Sequence, residues 1–157
     1  MRAFLTVLSA ALLAFLAAPQ ASASPVFLSA TASTPTDSGA LQVSFKIGGL
    51  IVGTTVTVKT TAKMTAVYAC QNEGGNFPSD PKKTQVVSSV AAAGTFKVDL
   101  LGQVAGTLTI NPPTPTLRCP KGQHVVLVSM SYGEVSVVSG GVTQSISGVF
   151  SRVYLDI

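Results

Sequence analysis

From Leu41 the chain alternates strictly, with Leu41, Val43, Phe45 and Ile47 apolar and Gln42, Ser44 and Lys46 polar. A period of two predicts a strand with one face buried and the other wet. Gly48, Gly49 and Gly53 bracket Leu50, Ile51 and Val52, which marks a turn or bulge before a short strand over 54–59. From Ala62, the set Ala62, Met64, Ala66, Tyr68 and Cys70 shares a face opposite Lys63, Thr65, Val67 and Ala69, predicting a further strand over 62–70. Residues 84–92 and 94–100 read as two more strands, the second with Phe96, Val98 and Leu100 inward and Thr95, Lys97 and Asp99 outward.

Gly102 and Gln103 predict a hairpin turn before a strand over 104–110, which Asn111-Pro112-Pro113-Thr114-Pro115 ends because proline cannot donate to a ladder. The run Val125-Val126-Leu127-Val128 within 124–131 suits a central strand covered on both faces. Residues 134–138, a Gly140-Gly141 turn, and 142–154 with an interruption at Gly148 complete the set, together with 26–32 near the start. About eight short strands at regular spacing, with no helical periodicity, predict an all-β chain folded as an antiparallel sandwich.

The first residues follow a different rule. Arg2, an apolar stretch over 3–18, Pro19 and the small residues Ala21-Ser22-Ala23 have the layout of a signal peptide over 1–23. The apolar run is too short, and lacks the basic flank, for a stop-transfer anchor. Residues 24–157 are then a single secreted, extracellular domain with no membrane span. Valine outnumbers leucine and the chain is rich in Ser and Thr, the usage of half-buried pleated strands. The net charge of +4 is scattered, which permits attraction to an anionic wall or membrane surface. It forms no clustered basic stripe with interleaved aromatics, so nucleic acid is not an expected partner.

Two cysteines in an oxidising compartment predict one disulfide, Cys70 to Cys119. Neither has a second Cys or a His at zinc-ligand spacing, and pairing removes any nucleophilic thiol, so no metal or cofactor is expected. Two Cys about fifty apart and Tyr68 two residues before Cys70 favour the immunoglobulin-like version of the sandwich. A barrel or jelly-roll topology stays open, because the core Trp of antibody domains is absent from the chain.

Chemistry-bearing side chains are scarce, with one His and six acidic residues in 157. His124 is the single imidazole and no Gly-x-Ser-x-Gly elbow accompanies it. Glu73, Asp80, Asp99 and Glu134 show no glycosidase-like pairing in sequence, and no helix follows Gly74-Gly75 to make a phosphate cradle. The expectation is a protein that is not an enzyme.

The informative stretch is the long polar loop over 71–83, which mixes Asn, Gly, one Phe and both charges. A bridge to Cys119 would hold it beside Arg118 and Lys121. Asn72, Glu73, Asn76, Phe77, Asp80, Lys82, Arg118 and Lys121 are therefore the candidate binding residues, with Phe77 the apolar anchor. The same composition suits a stapled connector whose Gly and Asn serve turns. The functional expectation is a secreted binding protein engaging an extracellular protein or cell-surface component through this loop. A small-ligand carrier and an extracellular hydrolase are the alternatives.

The pattern Tyr68-x-Cys70-x-Asn72-x-Gly74-Gly75-Asn76-x-Pro78, the segment Ser44-Phe45-Lys46 to Gly49-Leu50, and Cys119-Pro120-x-Gly122-Gln123 resemble an uncharacterised family of small secreted proteins of actinobacteria and some fungi. That likeness spans most of residues 24–157 and implies no activity. More distantly, the Ser/Thr/Val/Ala/Gly-rich composition and the Gly49-Leu50, Gly53-Thr54 arrangement look like enediyne chromoprotein apoproteins. This second likeness implies an immunoglobulin-like sandwich holding a small apolar ligand. The chain departs from those proteins in having one possible disulfide rather than two.

Overall fold

The computed structural model describes residues 24–79 and 81–156. The expected signal peptide over 1–23 lies outside the described residues. Eight strands form two antiparallel sheets packed face to face, with no helix among the described residues. They are β1 (Val26–Ala32), β2 (Leu41–Gly48), β3 (Thr55–Asn72), β4 (Lys83–Lys97), β5 (Val104–Ile110), β6 (Gln123–Ser139), β7 (Val142–Ile146) and β8 (Phe150–Val153). One sheet has the order β1-β2-β5, and the other β4-β3-β6-β7 with β8 also on β6. The antiparallel β-sandwich read from the sequence is the fold.

The core lies between the inward faces, as period-two patterning requires. Leu41, Val43, Phe45 and Ile47 of β2 and Val104, Leu108 and Ile110 of β5 face Val58, Ala62, Met64, Ala66 and Tyr68 of β3 and Met130, Tyr132, Val135 and Val137 of β6. Phe45 meets Phe96 edge to face at 5.0 Å between ring centroids, joining the two sheets. Gly106 of β5 makes room for that pair, since a Cβ there would lie 2.5 Å from a Phe96 ring carbon. The buried Thr60 hydroxyl donates to the Ser136 carbonyl at 3.0 Å, so this polar core group is satisfied.

Several strands are longer than the sequence suggests. The stretches expected separately over 54–59 and 62–70 are one strand, β3, and those over 84–92 and 94–100 merge into β4. Residues 124–131 and 134–138 are likewise one strand, β6, continuous through a bulge in which Glu134 and Val135 oppose Ala62 and Glu134 has φ 51°. The bulge explains the hidden continuity. Met130 and Tyr132 face inward on even numbers, Val135 and Val137 on odd ones, and the register against β3 shifts between Thr61 and Lys63. A pattern that changes parity reads as two strands when it is one.

Two burial expectations are corrected. Val125 and Leu127 are half-buried against the rim of the core, and Val126 between them is half-buried on the outer face of this sheet, which has no third layer over it. Leu100, expected inward, is 89% exposed, because β4 ends at Lys97 and the chain turns before the alternation reaches it.

Candidate functional site

The Cys70–Cys119 disulfide is present, with Cα atoms 5.5 Å apart. Cys70 is buried near the end of β3, where that strand has parted from β4 but still pairs with β6. The last pairs are Gln71 with His124 and Asn72 with Gln123. Beyond them the chain turns tightly: the Gly75 N–H donates to the Asn72 carbonyl and the Asn72 N–H to the Asn76 carbonyl, both at 2.9 Å. The Gln71 side-chain amide donates to the Gly75 carbonyl at 2.7 Å and closes the turn from the side.

The return limb is tied twice. The Cys70 N–H donates to the Lys82 carbonyl at 3.0 Å, and Lys82 Nζ donates to the Arg118 carbonyl at 3.1 Å. Lys82, Arg118 and Asn72 are thereby gathered around the disulfide. Lys121 sits in the neighbouring turn, closed by the Gln123 N–H donating to the Pro120 carbonyl at 3.1 Å. Glu73 and Asn76 are exposed at the loop tip and Phe77 is half-buried on the return limb. Asp80 lies outside the described residues.

The tyrosine hydroxyls that bond back to the chain at this end are those of Tyr132 and Tyr154 rather than that of Tyr68, the tyrosine beside the bridge in sequence. The buried Tyr132 hydroxyl donates to the Gly39 carbonyl at 2.6 Å, and the Tyr154 hydroxyl donates to the Thr36 carbonyl at the same distance. Burial, reinforced by the neighbouring Tyr154 and Tyr68 hydroxyls, pushes the Tyr132 phenol up to about 12. Arg152 adds an ion pair to Asp37 at 2.6 Å and lies over the Tyr154 ring. The β1–β2 loop is thus clamped at the same end of the sandwich as the disulfide.

The opposite end was not anticipated as a site. There the β2–β3 and β4–β5 loops are stitched together by the Leu50 N–H donating to the Gly102 carbonyl at 3.0 Å and the Val98 N–H to the Thr54 carbonyl at 2.9 Å. Between them opens a groove of about 440 Å³ lined by Gly53, Lys97, Val98, Asp99 and Leu100. Leu100, Leu101 and Ile51 project from these loops, the last two 79% and 66% exposed, and Val52 projects beside them. The usable signal in sequence was apolar pairs, Ile51-Val52 and Leu100-Leu101, lying inside turn-flanked stretches rather than in alternating ones.

His124 is exposed at the rim of the disulfide end. Among the described residues no group of three His, Cys, Asp or Glu side chains is placed to hold a metal ion, and no helix is long and apolar enough to cross a membrane. Comparison with protein-family models, curated proteins and solved structures finds no match.

Proposed function

We propose that this chain is an exported, immunoglobulin-like binding domain without enzymatic activity, engaging a protein or cell-surface component outside the cell through the β3–β4 loop. The observation that carries this reading is the double fastening of that loop, by the disulfide and by the Lys82–Arg118 contact. A loop ordered before binding loses less entropy on binding, and such loops on rigid sandwiches are a common seat of recognition.

The other parts of the reading have their own support. Disulfides persist in oxidising compartments, in keeping with the signal-peptide pattern of the first residues. A three-stranded sheet packed on a five-stranded one, with a buried tyrosine bonded back to a loop carbonyl, supports the immunoglobulin-like version. Non-enzymatic action is favoured by the isolation of His124, the one imidazole in the chain. The groove at the far end has the volume of a small-molecule site, but Lys97 and Asp99 form part of its wall, so carriage of an apolar ligand is the less supported reading.

The test is binding of the labelled protein to the surface of its producing cells, compared with an Asn76→Ala, Phe77→Ala double variant. Expected is a loss of binding of about tenfold or more, with stability changed by about 0.5 kcal/mol or less per site. Parallel loss of both quantities would make the loop a structural connector.

A further inference from the structure

Among the described residues, six of the nine large hydrophobic side chains that stand exposed gather at the end away from the disulfide: Val26, Leu28, Ile51, Val52, Leu100 and Leu101. Val26 pairs with Gly48, the last residue of β2, and Leu28 packs against that glycine, which places both beside the two stitched loops. Exposed apolar side chains in such a concentration mark a surface that something covers.

The loops that carry them satisfy part of their own backbone. Asp99 Oδ1 accepts from the N–H groups of Leu101 and Gln103 at 2.9 and 2.8 Å, and the Asp99 N–H donates to the Gln103 carbonyl at 2.9 Å. The Gly102 N–H donates to the Asp99 carbonyl at 3.2 Å. On the other loop, the Thr54 hydroxyl donates to the Ile51 carbonyl at 2.7 Å. A segment entering the acyl boundary loses less when its backbone is already bonded, and the Asp99–Gln103 turn and the Ile51–Thr54 turn each bring internal bonds. A protein partner would more often be met by Tyr, Trp or Arg anchors, whereas the six exposed side chains here are all aliphatic.

The charges set back from the tips agree. Lys97 ends β4 just before the Leu100 turn, Lys46 lies two residues before the end of β2, and Lys59 lies a few residues into β3. All three are exposed, and none is in an ion pair among the described residues. The nearby acid, Asp99, is held by two backbone donors on Oδ1, and the three lysines outnumber its single negative charge. Aliphatic tips with lysines a few residues behind match an acyl boundary with anionic headgroups above it.

We propose that this end of the sandwich docks on an anionic lipid surface, with Ile51, Val52, Leu100 and Leu101 entering the acyl boundary and Lys46, Lys59 and Lys97 facing the headgroup phosphates. The docking is independent of the β3–β4 loop, which lies at the other end of β3 and stays free for its own partner.

The chain contains no Trp, so single substitutions give clean reporters. The full chain carrying Leu100→Trp is compared with the full chain carrying Phe77→Trp. The probes are vesicles of phosphatidylglycerol and phosphatidylcholine, and vesicles of phosphatidylcholine alone, each with brominated acyl chains. Expected are a blue shift and bromine quenching at position 100 but not at 77. Partitioning should be about tenfold or more tighter on the anionic vesicles, weaken with salt, and fall about tenfold in an Ile51→Asp, Leu101→Asp variant of unchanged melting temperature. Because the reporter reads position, attachment through residues 1–23 would leave Leu100→Trp unquenched and overturn the proposal. So would a lipid-independent blue shift that grows with protein concentration, which would assign the face to a second copy. Asn76→Ala, Phe77→Ala should leave vesicle partitioning unchanged, so failure of the loop reading and failure of this one are separable.

Discussion

The two ends of the sandwich hold their loops by different means. At one end, the longer loops over 33–40, 73–82 and 111–122 are fastened from outside, by a disulfide, a lysine reaching a carbonyl, and tyrosine hydroxyls from β6 and the C-terminal segment. At the other, short loops are fastened from within, by backbone hydrogen bonds and one aspartate that caps its own turn. Long loops cannot close on themselves cheaply and need cross-links, whereas short turns satisfy their own donors and leave their side chains free. The first arrangement displays polar groups on a stapled frame. The second displays aliphatic ones on turns whose flanking backbone groups are already bonded.

The largest expected effect falls on the covalent fastening. Replacing Cys70 and Cys119 by Ser should cost about 4 kcal/mol in the chain-entropy model, read from urea unfolding. It should also speed chymotryptic cleavage at Phe77, while a Leu100→Trp reporter at the far end keeps its native emission. Loss of order at both ends together would show that the two fastenings are one cooperative unit.

Next in size is a pair of glycine substitutions. Gly102 has φ 69°, and a Cβ there would lie 2.7 Å from the Leu50 carbonyl oxygen, so Gly102→Ala meets both backbone strain and a clash at the stitched loops. Gly122 at the disulfide end has φ 80° with open space around it, so Gly122→Ala meets strain alone. Expected losses are about 2–3 and about 1 kcal/mol in thermal unfolding. Equal losses would mean the stitching between Leu50 and Gly102 contributes nothing.

The smallest effect concerns Tyr132. Tyr132→Phe leaves the Gly39 carbonyl without its donor and should cost about 1 kcal/mol at neutral pH. The folded phenol, pushed up to about 12, binds its proton more tightly than the unfolded one near 10. Its stabilisation is therefore complete below about pH 10 and is lost as pH rises through about 12. The gap between wild type and Tyr132→Phe should narrow over that range. A gap that stays constant would remove Tyr132 from the alkaline response of the disulfide end.

Local pattern was enough for part of this. The alternation of Leu41, Val43, Phe45 and Ile47 named the buried face of β2 residue by residue, and that of Ala62, Met64, Ala66 and Tyr68 did so for β3. Gly148 marked the break between β7 and β8. The candidate loop was legible because asparagine, glycine and cysteine are conspicuous in a valine-rich chain. The stitched end was not, because an apolar residue in a sequence looks like core wherever it stands. Leu100 continues the parity of Phe96 and Val98, and only the turn begun at Asp99 reverses it.

By itself, then, the order of residues determined the all-β class, the inward faces of β2 and β3 and the pairing of two cysteines, since each follows from a period of two or from there being no other thiol. The tertiary structure alone decided that Glu134 and Val135 bulge rather than break a strand, that Tyr132 rather than Tyr68 reaches back to a loop, and that four aliphatic side chains stand at one end. Those outcomes depend on which strands become neighbours, and residues far apart in the chain, such as Leu50 and Gly102, carry no local mark of the partner they will find.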